Sequence, residues 1–159
     1  MSAERQPRNA ELPGQVQLAT LGRRALGEVL DRFLILVPVS IGVVVAGFRQ
    51  GDDVSAGMAL AISTSFAALE LVYSTVMVAV FGRTVGKFAT GTRVVRLDDG
   101  GRVGWLQAAQ RAVVPVAAIS VPQPEISFAL TVVVYAMAWL GPLRQGLHDR
   151  AAGTIVIRT

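Results

Sequence analysis

The long apolar run from Val54 to Phe81 constrains the fold of this chain more than any other feature. Its only ionisable side chains are those of Glu70 and Tyr73. About 20 apolar residues in a helix cross a hydrocarbon core of ~30 Å, and a longer run can cross with tilt. The whole chain is 52% apolar, which is more than a soluble fold of 159 residues needs for its core. The sequence therefore predicts a membrane protein whose excess apolar surface faces lipid.

Three further apolar runs extend this prediction to an all-α membrane protein, a four-helix transmembrane bundle of two helical hairpins. The predicted helices span about 25–48, 54–81, 105–121 and 125–142. The third run contains Gln107, Gln110, Arg111 and Pro115, so a partly interfacial or broken helix remains an alternative to a full crossing.

The positive charges predict the orientation. All but one of the 15 lysines and arginines fall on one side if the chain crosses four times, and the exception is Arg49 beside Asp52 and Asp53. Cytoplasmic segments of bacterial membrane proteins carry such an excess of positive charge. We therefore expect a multi-pass protein of the bacterial inner membrane with both termini in the cytoplasm.

Short cytoplasmic β-strands are also predicted. The β-branched segment 92–97 precedes the turn signal of residues 98–101, and the phrase at 89–96 resembles the phrase at 151–158. Two interpretations stay open: the chain consists of two parallel units, each a helix pair followed by a strand, whose strands meet beneath the bundle, or the six or so matching positions arise by chance. Residues 1–20 are polar, lack an apolar face and a signal-peptide pattern, and are expected to be a flexible cytoplasmic tail before a domain at 21–159.

Composition disfavours several kinds of chemistry. There is no cysteine, and His148 is the only histidine, so we expect no disulfide, no metal site and no cofactor. The basic residues lie between apolar runs instead of forming one solvated basic face, which argues against a nucleic-acid partner. No nucleophile–base pair is evident, so an enzyme is not predicted.

The first helix carries a stripe of charges. Arg24, Glu28 and Asp31 are spaced four and three residues apart and lie on one helical face, where they can pair. Two interpretations stay open: the cluster anchors the helix at the lipid headgroups, or it forms a working polar site.

Glu70 lies near the middle of the most apolar run. A carboxylate at that depth costs at least ~2.5–3.5 kcal/mol, so it should be protonated, paired or in contact with water. Arg111, Arg24 and Arg32 are the candidate partners. Either proton or cation handling, or an interhelical hydrogen bond that fixes packing, accounts for such a residue.

Two further motifs lie in the segments between helices. The segment 82–87 partly resembles a phosphate-binding loop. Its two glycines, however, are one residue too close together, and Phe88 replaces the required Ser or Thr. Gly82 and Gly86 are better explained as sites of close backbone approach. His148 and Asp149, which follow the last helix, are expected to form a pH-sensitive hydrogen bond or a cap at the helix–strand corner.

These motifs, taken together, resemble the RDD family of bacterial membrane proteins. The resemblance covers about residues 21–159 and depends on segments 22–31, 82–95 and 144–156, which include Thr84 and Lys87. It implies that Arg24, Asp31 and Asp149 are the name-giving residues, with Arg23 as a substitute for Arg24. It also implies a multi-helix inner-membrane protein, from a family that has been proposed to include cation/proton exchangers among its members.

Two functions follow as hypotheses. One is a small transporter, active as a homo-oligomer because four modest helices enclose little space, in which Asp31 and Glu70 bind a cation and a proton in turn. The other is a non-catalytic subunit or assembly factor of a larger membrane complex. The lipid bilayer is the expected partner in both cases.

Overall fold

The computed structural model describes residues 17–47, 55–121 and 123–159. Most of the predicted tail, and Arg49, Asp52 and Asp53, lie outside these residues. The elements in chain order are α1 (Leu21–Val45), α2 (Ala56–Phe81), α3 (Val85–Ala89), β1 (Thr92–Arg96), α4 (Trp105–Ile119), α5 (Pro124–Ala136), α6 (Leu147–Ala151) and β2 (Thr154–Arg158). A single 3-10 turn, Met137–Trp139, extends α5.

Local signals set the helix boundaries. The Thr20 side chain accepts a hydrogen bond from the backbone N–H of Arg23, and Ser55 caps α2 in the same way. Gly82 ends α2 in the left-handed conformation, with φ 71°. Pro124 is the first residue of α5, a position where its missing N–H costs nothing.

Among the described residues, α2 is the one helix both long and apolar enough to cross a bilayer. It has 26 residues, and only Glu70 and Val78 are buried. Helix α1 has 25 residues but carries five charged side chains in its first half. Helices α4 and α5 have 15 and 13 residues, which corresponds to about 22 and 20 Å. The chain is thus mostly helical with two short strands, and the predicted four-helix transmembrane bundle is not confirmed.

The helices also do not pack as two simple hairpins. Helices α4 and α5 lie against each other, as predicted for the second hairpin. Helix α1, however, packs mainly against α3, and α2 packs mainly against α4. The predicted first hairpin is therefore not confirmed as two closely packed helices. The polar stripe of α1 faces mainly α3 and α6, and it reaches α2 through side-chain contacts of Asp31 and Arg32.

The two similar sequence segments, 89–96 and 151–158, contain the two strands, and these strands pair with each other. β1 and β2 are antiparallel, with a register centred on Val94 opposite Val156. The chain just before α1 joins this sheet, since Leu18 forms a bridge with Ile157 and the N–H of Ala19 donates to Val156 at 3.0 Å. Residues 17–20, expected to end the flexible tail, are thus held against β2.

The order of elements is repeated in the two halves of the chain. Helices α3 and α6 have five residues each, each is followed by a five-residue strand, and Gly91 and Gly153 before the strands share φ 61°. Helix α1 packs on α3 as α4 packs on α6. The symmetric strand register places an approximate two-fold axis between Val94 and Val156, and Lys87 and Asp149 occupy equivalent positions about it.

Candidate functional site

A network of buried charges lies where α1, α2, α4 and α5 meet the short helices α3 and α6. It contains four cations and four anions: Arg24, Arg32, Lys87 and Arg111 with Glu28, Asp31, Glu70 and Asp149. Asp149 is fully buried and Lys87 is 4% exposed. Charges at such depth are tolerated only when they are paired and hydrogen-bonded. The network is balanced and forms the polar centre of an otherwise apolar chain.

Asp31 holds the N-terminal end of α3. Its carboxylate accepts hydrogen bonds from the Thr84 hydroxyl at 2.5 Å, the Gly86 N–H at 2.8 Å and the Tyr73 hydroxyl at 2.7 Å. Lys87 Nζ lies 3.9 Å from the same carboxylate. Thr84 also caps α3 by accepting from the N–H of Lys87. Asp31 therefore fixes α3 against α1 through both charge and hydrogen bonds.

Glycines make this approach of α1 and α3 sterically feasible. A Cβ atom on Gly86 would overlap the carbonyl oxygen of Gly27 and lie 2.9 Å from the Asp31 carboxyl carbon. A Cβ on Gly27 would lie 3.1 Å from the Thr90 hydroxyl. Small residues at both positions let the two backbones touch, which brings the Gly86 N–H within reach of Asp31.

A second branch of the network connects α1 with α2, α3 and α5. Lys87 Nζ donates to Glu28 at 2.5 Å, and the Tyr135 hydroxyl donates to the other Glu28 oxygen at 3.2 Å. Arg32 pairs with Glu70 and approaches the Tyr135 hydroxyl at 3.5 Å. Tyr135 thus links the ion pair of Glu28 to that of Glu70.

Asp149 is the centre of the third branch. It pairs with Arg24 from α1 and with Arg111 from α4, and it accepts a hydrogen bond from the Gly146 N–H at 2.9 Å. Arg111 also donates to the Thr154 hydroxyl at 3.0 Å. One carboxylate therefore caps α6 and joins both halves of the molecule. The two halves carry opposite charges at equivalent positions. In the first half Glu28 of α1 faces Lys87, and in the second half Arg111 of α4 faces Asp149.

His148 lies beside Asp149 on α6 and is 3% exposed. Its Nε2 atom is 3.6 Å from the Asp149 carboxylate, and its ring centre is 5.1 Å from that of Tyr135. Burial lowers the pKa of His148 well below 6.5, and the positive charge of Arg111 lowers this pKa further. His148 is therefore neutral at neutral pH.

A cavity of about 30 Å³ lies inside the network. Charged groups on its wall include Glu28, Glu70, Lys87 and Arg111, and His148 also lines it. A water molecule needs at least about 10–15 Å³ of such space, so the cavity is large enough for a water or a small ion. Among residues 17–47, 55–121 and 123–159, no group of three or more histidine, cysteine or acidic side chains is arranged to hold a metal ion.

The structure brings nearly all of the residues singled out from the sequence into this network: Arg24, Asp31, Glu70, Arg111, His148, Asp149, Thr84, Gly86 and Lys87. Gly82 lies apart, at the end of α2, where a Cβ would approach Arg93 Nε at 2.8 Å. The stripe of α1 does not pair internally, because each of its charges finds a partner on another element. Arg32 is the partner of Glu70.

Sequence reasoning missed the roles of Tyr73, Tyr135 and Thr154. The first two are the only tyrosines of the chain, and both stand in apolar helices. A tyrosine in an apolar helix is a usable sequence signal for a polar contact, because its hydroxyl is costly to bury without a hydrogen-bond partner. No comparable signal marks Thr154, since threonine is common in strands.

The family model of the RDD family matches residues 18–153. This range contains all eight charges of the buried network, the six helices and β1, and it ends immediately before β2. No curated protein and no solved structure matches the chain.

Proposed function

The chain belongs to the RDD family, a family of membrane proteins, and we propose that it is a small transporter that exchanges a monovalent cation for protons. It acts as an oligomer in the bacterial inner membrane, crosses the bilayer several times and has both termini in the cytoplasm. The buried charge network is its ion-handling site. The observation that supports this proposal most strongly is the set of carboxylates around a cavity large enough for one water or small ion.

The chemistry of exchange requires a carboxylate that binds either a proton or a cation. Glu28 and Glu70 both border the cavity and come from different helices. A carboxylate inside a membrane segment is a candidate for such a role because its charge is expensive when it is unpaired. Glu70 binds the ion when Arg32 leaves it, and it takes up a proton or pairs with Arg32 again when the ion departs.

Arg32 has the freedom that this step needs. Its side chain is 29% exposed, compared with 10% for Arg24 and 6% for Arg111. It faces both Glu70 and Tyr135, so a change of partner keeps one hydrogen bond in place. Arg32 is thus the cation whose displacement opens Glu70, whereas Arg24 and Arg111 hold Asp149 as a structural centre.

A non-catalytic subunit or assembly factor is the second candidate. The observation that favours it is the complete pairing of the network: Glu28, Asp31, Glu70 and Asp149 each contact a cation. Such a cluster can serve to lock helices in one arrangement. In this case the two cytoplasmic strands form the surface that a larger partner binds.

The deciding experiment compares proton movement in proteoliposomes that contain the purified protein and a pH-sensitive dye. A gradient of Na⁺ or K⁺ should drive proton flux in the parent protein, and Glu70→Gln and Asp31→Asn should abolish it. Asp98→Asn is the matched control, because Asp98 is an exposed carboxylate in the turn after β1. Glu70→Gln is the more informative of the two variants, because Asp31 also holds α3.

Two results would reject the transporter. One is the absence of cation-driven flux in the parent protein, and the other is unchanged flux in both variants. Copurification from native membranes then tests the second candidate, since a stoichiometric larger partner supports it. A homo-oligomer alone, together with active flux, supports the exchanger.

A further inference from the structure

A groove of about 560 Å³ separates α1 from α5. Its walls are mostly apolar and include Val29, Phe33 and Leu36 from α1 and Val132, Ala136 and Trp139 from the other side. In the approximate two-fold arrangement of the halves, the equivalent pair is α2 and α4, which pack closely along each other. Of these two equivalent pairs of helices, α2 and α4 are in close contact, whereas α1 and α5 leave an open groove between them.

The floor of the groove is part of the charge network. Tyr135, Glu28 and Arg32 line it, and the Tyr135 hydroxyl contacts both charged groups. Arg24 lines it as well. These charges are already matched, because Arg24 pairs with Asp149, Arg32 with Glu70 and Glu28 with Lys87. The charge of an occupant must therefore be met outside the floor of the groove.

The end of the groove near the start of α1 and the end of α5 has the character of a membrane interface. Trp139 is 77% exposed there, and tryptophan is enriched at the level of the headgroups. The Arg150 side chain lies beside Gly141, two residues after Trp139, and Arg144 reaches the carbonyl of Ala19. Basic side chains at this level attract anionic lipids of the cytoplasmic leaflet.

We propose that this groove binds one anionic phospholipid, with an acyl chain between α1 and α5 and the headgroup beside Trp139 and Arg150. The volume lies within the range of sites that bind small molecules, about 300–1,000 Å³. The inference rests on the membrane placement of the proposed function but goes beyond ion exchange. Because the acyl chain packs on Tyr135, the bound lipid supports the hydroxyl that links Glu28 with Arg32.

The test uses quenching of tryptophan fluorescence by lipids with brominated acyl chains. The chain has two tryptophans, and Trp105 begins α4, away from the groove. In the Trp105→Phe variant, Trp139 is the sole emitter. In vesicles of phosphatidylcholine, brominated phosphatidylglycerol should quench Trp139 at a lower mole fraction than brominated phosphatidylcholine does. Arg150→Gln should reduce this preference about fivefold, the effect of one basic residue near an anionic surface.

Two matched variants separate the groove from the general lipid surface. Ala136→Phe fills the groove and should remove the preference for phosphatidylglycerol. Ala61→Phe adds the same ring to an exposed position on α2 and should leave the preference unchanged. Both variants are checked for folding by size-exclusion chromatography and thermal unfolding in detergent.

Equal quenching by the two brominated lipids would overturn the proposal, and so would an unchanged preference in Ala136→Phe. Disulfide cross-linking of Ala136→Cys between two copies, without lipid quenching, would make a second copy of the chain the occupant and would also overturn it. Cation-driven proton flux is measured on the same vesicles. Flux without lipid preference refutes the lipid site alone, whereas lipid preference without flux refutes the exchanger alone.

Discussion

The carbonyl oxygen of Gly27 occupies the space that a Cβ atom on residue 86 would need, so α1 and α3 touch backbone to backbone at this point. The contact places the Gly86 N–H 2.8 Å from the carboxylate of Asp31. The helix that carries Lys87 is therefore positioned by the absence of two side chains as much as by any charge.

Gly86→Ala should destabilise the protein severely, because the added methyl group forces α3 away from α1 and breaks the hydrogen bonds to Asp31. We expect a loss of about 3 kcal/mol or more in the free energy of unfolding, measured by SDS titration in mixed micelles. Gly42→Ala, on α1, is the control. Open space surrounds Gly42, so alanine there should be neutral or stabilising by up to ~1 kcal/mol. Equal stability of the two variants would refute the close contact.

Asp149→Asn should be more damaging than Arg111→Met. Removal of the carboxylate leaves both Arg24 and Arg111 buried without their anionic partner, whereas removal of Arg111 leaves Asp149 paired with Arg24. Breaking a buried ion pair from one side typically costs about 3–5 kcal/mol. The free energies of unfolding of the two variants are compared in the same detergent. The opposite ranking would show that Asp149 is not the centre of this branch.

Stability should fall as the pH drops below about 6.5, and His148 should be one cause. The pKa of His148 is depressed in the folded state, so only the unfolded chain takes up this proton as the pH falls through 6.5. The loss from one such group approaches ~1.4 kcal/mol per pH unit until the folded pKa is reached. His148→Gln should show a correspondingly weaker pH dependence of the unfolding midpoint between pH 6.5 and 5. An unchanged slope would contradict this assignment.

The number of crossings can be tested directly because the chain has no cysteine, so each introduced thiol is unique. Gln123→Cys, in the exposed connection between α4 and α5, should react with an impermeant thiol reagent only from the periplasm. Asp98→Cys should react only from the cytoplasm. Cytoplasmic labelling of Gln123→Cys would make α4 and α5 a re-entrant pair that does not cross.

Sequence patterns predicted the elements well where a single local signal decides them. The apolar run fixed α2, and the repeated phrase with its glycine and β-branched residues fixed both strands. The lengths of α4 and α5 were less accessible, because Pro122 and Pro124 limit a helix without revealing how the backbone around them turns. The predicted α5 continues to residue 142, whereas the structure changes to a 3-10 turn at Met137.

The pairing of charges was beyond reach of the pattern alone. Arg24, Glu28 and Asp31 are neighbours on one helix, and spacing favours pairs among them. In the fold each side chain has its partner on another helix: Arg24 pairs with Asp149 of α6, whereas Glu28 and Asp31 both contact α3. Likewise, the position of an arginine in the sequence does not show whether it pairs with Glu70, because the pairing depends on how α1 is rotated about its axis.

A cluster whose four positive and four negative groups already cancel exerts little attraction on an ion some distance away. Under the proposed exchange, an arriving metal ion would therefore compete with the Arg32 guanidinium for Glu70 at the last step. Discrimination between ions of equal charge would then reflect how easily each sheds its water in exchange for one carboxylate, and an organic cation shaped like guanidinium would act as an inhibitor.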